Sequence, residues 1–138
     1  MQNWYVDIVR VHRKEHLLFT HSLSLYSLIL YCRTPKEKKG LATLFQAKLA
    51  KALLEDFGLR GLQEIEKISG EVVVYTKTNS RAILGSMNDF KWQIAVAVAH
   101  HGIPAAEVDS LRYSINDCPM RLIDYSNGQA EMAKLLMK

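Results

Sequence analysis

The stretch that most limits the fold runs from Leu41 to Phe57. Leu41, Leu44, Phe45, Leu49, Ala52, Leu53 and Phe57 recur at spacings of three and four, which lines them along one side of a helix. A helix with one apolar stripe must bury it against a second layer. The chain offers that layer on both sides of the stretch. Upstream, Trp4, Val6 and Ile8 in NWYVDIVRVH alternate with other residues, as in a strand; Val11 falls out of step, which suggests a bulge. HRKEH reads as a hairpin connection. LLFTHS and LYSLILY read as two further strands with a turn near His21 to Leu23. Leucine marks strands weakly, so a helix over residues 22–31 stands as the alternative. Downstream, EVVVYTKT is β-branched and alternating, and reads as a strand. Together these elements predict an α+β fold, a small, mainly antiparallel sheet backed by helices as a single layer pair. One globular domain over residues 1–138 is expected.

Other boundaries follow from local chemistry. RTPKEKKG is a loop marked by Pro35, and Gly58 stands where a helix cap falls. LQEIEKI, with Leu62, Ile65 and Ile68, predicts a short second helix ended by Gly70. Phe90, Ile94, Ala97 and Val98 form another stripe, which Trp92 and Val96 widen. That helix closes at HHGIP, with Gly102 as cap and Pro104 as a stop and the start of the next helix. There Val108, Leu111 and Ile115 face one way. NDCPMRLIDYSNG is irregular, and a last helix is expected from Gln129 to Met137.

Composition narrows the setting. At 138 residues the chain is long enough for a core without staples. No run approaches the length of a membrane span, so no membrane partner is expected. MQNWYVDIVR lacks the basic flank and apolar stretch of a signal peptide, which makes a cytoplasmic location the expectation. Cys32 and Cys118 stand far apart without metal-ligand spacing and read as free thiols. The net charge is +4. Residues 1–69 hold eleven Lys or Arg against seven Asp or Glu, and residues 70–138 hold seven of each. The excess, most visible in CRTPKEKK, suits either a polyanion or a solvated loop.

SRAILGSMNDF, residues 80–90, has two readings. In one, Gly85 makes a turn, Ser86 caps a helix and Asp89 occupies the reciprocal position of a capping box. Arg81 then pairs with an internal carboxylate. In the other, Lys77, Ser80, Arg81 and the amides near Ser86 hold a phosphate or carboxylate at a helix start. Asn88 has no capping role and joins the ligand-binding set with Asp89. The stretch is not a Walker A loop, a dinucleotide fingerprint or a nucleophile elbow, because the required glycines are missing.

The same region carries a resemblance. Thr76, Lys77, Thr78, Arg81, Gly85, Ser86, Met87, Asn88 and Asp89 resemble the Thr-Lys-Thr, Arg, Gly-Ser-Met-Asn-Asp signature of the bacterial and archaeal domain-of-unknown-function family 6933. RVHRKEHLLFTHSLSLYSLILY looks similar to its basic turn between strands, and INDCPM with Tyr125 to its Asn-x-x-Pro-Met segment and later Tyr. The resemblance covers most of the chain. It implies a shared fold and no activity.

Other side chains suggest further chemistry. His12 and His16 flank a turn, too few for a metal site by themselves. His100 and His101 end a helix, where histidine suits the dipole, though either can serve as a base. Glu64 with Glu66, and Glu107 with Asp109, are two apart and do not share a helix face. Arg10, Arg13, Lys14 and Arg33 with Tyr5, Tyr26 and Tyr31 form the best basic and aromatic set for nucleic acid. The expected role is noncatalytic binding of nucleic acid or another polyanion, with no cofactor and no metal. One alternative is a small hydrolase or nuclease-like enzyme using Arg81, Asp89 and a histidine. Another is an interaction module that closes a homodimer through MAKLLMK.

Overall fold

The computed structural model describes residues 3–31, 40–68, 71–74 and 81–137. Four strands, β1 (Asn3–Val11), β2 (Lys14–His21), β3 (Ser27–Tyr31) and β4 (Glu71–Val74), form one sheet in the order β3-β2-β1-β4. β1–β2 and β2–β3 are antiparallel, and β4 joins β1 in parallel. The helices are α1 (Leu41–Gln63), α2 (Arg81–His101), α3 (Arg112–Asp117) and α4 (Gly128–Leu136). Short 3₁₀ segments run over Ile65–Lys67, Ala105–Leu111 and Arg121–Ile123. The α+β class, the mainly antiparallel sheet and its helical backing are as the sequence predicts.

The helices are divided between the two faces of the sheet. On one face, Trp4, Val6, Phe19, Leu28 and Leu30 pack with Phe45, Leu49 and Leu53 of α1 and Met132 and Leu136 of α4. On the other, Val9, Val11, Leu18 and Ile29 pack with Ile83, Met87, Phe90 and Ile94 of α2, and with Val108 and Ile115. Successive strand residues point to opposite faces, so Leu28, Ile29 and Leu30 are all buried. This explains why LYSLILY reads as a continuous apolar run and still forms a strand. It also removes the expected bulge. The β1–β2 register is unbroken from Trp4↔His21 to Val11↔Lys14. Val11 is out of step with Trp4 because it serves the other core.

Three further boundaries differ from the sequence reading. The β1–β2 connection is two residues, His12 and Arg13, both with positive φ (53° and 64°). That is the signature of a tight hairpin turn of the primed kind, so Lys14 and His16 belong to β2. Gly58 does interrupt α1, with φ 69° and ψ −160°, but a helical stretch resumes and ends at Gln63. Leu62 is exposed there, so it does not extend the apolar stripe. The third concerns α2, which begins at Arg81. Ile83, Met87, Phe90 and Ile94 form one stripe that is buried along its length, and burying Ile83 and Met87 carries the helix past the expected start. Gly85, Ser86 and Asp89 are therefore interior helix positions. Ser86 caps nothing; its Oγ donates to the Ala82 carbonyl, 3.3 Å away. Trp92 is 68% exposed and does not widen the stripe.

The remaining elements follow the sequence more closely. Gly102, at φ 59°, closes α2 by donating its N–H to Val98 O. Pro104 precedes a 3₁₀ segment from which Val108 is fully buried. The last helix starts one residue early, with Asn127 accepting the Ala130 N–H as its cap. Cys32, Pro35 and Gly70 lie outside the described residues. No helix among the described residues is long and apolar enough to cross a membrane.

Candidate functional site

The sequence points to two basic regions, and α2 separates them. Lys91, midway along α2, bonds Asp7 of β1 at 2.8 Å. Just beyond the end of α2, the Ile103 carbonyl accepts the Nε2–H of His12 at 2.8 Å. The helix thus runs alongside β1 in the same direction, and its last residues reach the hairpin tip. Arg81, its first residue, stands at the other end of a 21-residue helix, about 30 Å away at 1.5 Å per residue. The hairpin tip does not extend a contact made at Arg81.

Around Arg81 little converges. Arg81, Asn88 and Asp89 are exposed, while Ser86 is buried inside the helix. No ion pair joins Arg81 to a carboxylate among the described residues. The amides near Ser86 belong to an interior turn and are committed to the helix ladder. Asp89 lies eight residues from Arg81 and eleven from His100 in the chain, about 12 Å and 17 Å along the axis. The structure does not assemble Arg81, Asp89 and a terminal histidine into one site. Lys77 and Ser80 fall outside the described residues.

The hairpin end brings together part of the basic and aromatic set. Arg10, Arg13 and Lys14 are all exposed within the last turn of the β1–β2 ladder. Arg10 faces Glu15 across the strands with a 3.4 Å contact, and the Lys14 ammonium lies 5.7 Å from the Tyr31 ring centre. His16, fully buried, stacks on Tyr31 at 4.8 Å and donates from Nε2 to Ala105 O at 3.3 Å. His12 and His16 therefore tie the tip to the segment after α2. No group of three His, Cys, Asp or Glu among the described residues is placed to hold a metal. Tyr31, the last residue of β3, pairs with His16, so β3 leaves the sheet at this same end. Arg33 follows two positions later, outside the described residues. Of the other tyrosines, Tyr26 is fully buried and Tyr5 half-buried.

A third cluster escaped the sequence reading. α1 presents Lys48, Lys51, Ala52 and Glu55 on one face, and the 105–113 segment faces them with Asp109, Ser110, Arg112 and Tyr113. A cleft of about 170 Å³ lies between. The Arg112 side chain is 4% exposed. It donates to Asp56 and to Glu55, each at 2.6 Å, and weakly to the Tyr26 hydroxyl. Tyr26 donates a short hydrogen bond to Asp56 as well. Tyr113 donates to Glu55 at 2.5 Å, and its ring lies 4.1 Å from the Arg112 guanidinium carbon. Lys48 meets Asp109 at 2.6 Å.

The electrostatics follow this geometry. Burial, then the hydrogen bond to Asp56, pushes the Tyr26 hydroxyl pKa far above its usual value. The Tyr113 hydrogen bond, then Arg112, lowers the Glu55 carboxyl. That same bond raises Tyr113. Burial works against the Arg112 charge, but Tyr26 and Asp56 beside it outweigh the cost and raise its pKa. A signal for this cluster was present. Arg112 sits in the apolar stripe of Val108, Leu111 and Ile115, and a cation carried into a core needs carboxylate partners.

MAKLLMK is largely used within the chain. Met132 and Leu136 are buried in the core, while Met137 is 66% exposed.

No curated protein matches the chain. A family model does match it, over residues 1–131, described as Domain of unknown function (DUF6933).

Proposed function

The chain belongs to the DUF6933 family, and since that membership carries no activity we propose from the side chains alone that this protein binds polyanions, nucleic acid among them, without catalysis. The hairpin tip is the contact surface. One observation supports the reading: positive φ at both His12 and Arg13 makes a two-residue turn, which brings Arg10, Arg13 and Lys14 to one end of the sheet, Arg10 on the face opposite Lys14, so that a polyanion would wrap the tip. Such a turn follows the twist of its strands and leaves the ladder intact to its last pair. The surface contacts of Arg10 with Glu15 and of Lys14 with Tyr31 are weak and do not withdraw these cations from a phosphate. Phosphate contacts of this kind give affinity and register, and no base specificity.

The test is titration of single- and double-stranded oligonucleotides into the protein at low salt. The triple variant Arg10→Ala, Arg13→Ala, Lys14→Ala should abolish binding, and Arg81→Ala should leave it within about twofold, well below the tenfold that 1.4 kcal/mol would produce. Equal binding by the triple variant, or no binding by the wild type at low salt, overturns the proposal.

A further inference from the structure

Gly85 stands exposed in the interior of α2, and nothing within the chain requires a glycine there. Gly58 and Gly102 have positive φ. At Gly61 and Gly128 a Cβ would fall 2.6 Å and 3.0 Å from neighbouring backbone. Gly85 shares neither feature, and a Cβ there would meet nothing within 4 Å. Glycine is a poor helix former. On the open side of a helix it serves to let another backbone come close.

The charges around Gly85 say which backbone. Arg81 lies one turn before it and Asp89 one turn after it, each about 6 Å away along the axis. Both are exposed, and neither has an ion-pair partner among the described residues. A two-fold axis at Gly85 exchanges the two positions. In an antiparallel pair of α2 helices that cross at Gly85, Arg81 of each copy therefore faces Asp89 of the other. The face is its own electrostatic complement, and we propose that it is a contact between two copies of this chain. Trp92, 68% exposed, lies on the same face two turns after Gly85. Helical side chains lean toward the N-terminus, which carries its indole over the turn that receives the other copy's Arg81. That guanidinium is then held between a carboxylate and an aromatic ring. Because the helices are antiparallel, their far ends and the hairpin tips beside them point away from each other and stay free.

One helix face is smaller than a standard interface, so a weak dimer is expected, with Kd in the range of about 10–100 µM. Sedimentation equilibrium of the whole chain from about 5 to about 500 µM should show monomer passing to dimer. Tryptophan emission should shift to the blue over the same range, since Trp4 is fully buried at the start and Trp92 is not. Gly85→Leu should stay monomeric throughout. It should also melt no lower than the dilute wild type, because leucine is the better helix former and has open space at this position. Arg81→Glu and Asp89→Arg each set like charges face to face and should weaken the dimer at least about tenfold. Mixed in equal amounts the two variants should associate again, because each supplies the charge the other lacks. The proposal is overturned if the wild type stays monomeric at about 500 µM, or if Gly85→Leu dimerises as the wild type does. It is equally overturned if either reversed variant dimerises normally alone, or if the two fail to associate when mixed.

Discussion

Arg112 shows what one buried charge demands of its neighbours. Its side chain and that of Asp56 are each 4% exposed, so neither is solvated well without the other. Arg112→Ala strands Asp56 in the core beside Tyr26 and should cost about 3–5 kcal/mol. Glu55→Gln should cost less than about 1 kcal/mol, because Glu55 is 38% exposed and water replaces what it loses. Urea unfolding of the two variants checks the contrast, and a loss below about 1 kcal/mol for Arg112→Ala would refute it. His21 provides a second residue-level prediction. Burial lowers its pKa from 6.5 to about 4, so the ring folds neutral while the unfolded chain takes up a proton in that window. Its contribution is complete above about pH 6.5 and is lost as pH falls toward about 4, by about 3 kcal/mol in all. Urea midpoints measured from pH 7 to pH 4 should fall more steeply for the wild type than for His21→Phe.

At the scale of elements, apolar spacing was legible and boundaries were not. The stripe from Leu41 to Phe57 gave α1 because its residues meet one core. SRAILGSMNDF misled because Gly, Ser and Asp at those spacings also describe a capped start. Ile83 and Met87, on the same stripe as Phe90, already indicated a longer helix, whose buried side chains outweigh the glycine penalty of about 1 kcal/mol. The hairpin was obscured for a related reason: a turn of His12 and Arg13 lacks the Asn-Gly usual at two positive φ angles. Two glycines of α1 can be told apart by substitution. Gly58 occupies a backbone region that side chains avoid, yet a Cβ there would meet nothing within 4 Å. Gly58→Ala should cost about 1–3 kcal/mol from backbone strain alone. Gly61 is helical, and a Cβ there would fall 2.6 Å from the Leu53 carbonyl oxygen. Gly61→Ala should cost a similar amount, about 1–3 kcal/mol, by forcing α1 apart. Circular dichroism separates them, since the second should lose helical signal near the α1 C-terminus and the first should not.

For the molecule as a whole, charge counts place the excess in the first half of the chain and say nothing of the distance between its parts. Arg81 and the hairpin tip are a helix apart, which sequence position alone does not reveal. The proposed contact, with three cations at the hairpin end, predicts a modest salt dependence. With a slope of about −0.7 to −0.9 per phosphate contact, raising salt from 50 to 200 mM should weaken oligonucleotide binding about 20- to 40-fold. Fluorescence anisotropy measures this directly, and a much steeper slope would mean that more of the surface takes part. The sheet order holds a consequence in time. β1 lies between β2 and β4: Trp4 to Val6 pair on one side with His21 to Phe19 of β2, and Asn3 to Val6 on the other with Glu71 to Val74. On the ribosome the first side can close as soon as the hairpin emerges, whereas the second must wait for about 50 more residues, roughly 3–10 s at ordinary elongation rates. During that interval the nascent chain exposes the edge of what will become an inner strand, and a chaperone that grips extended backbone would find it there.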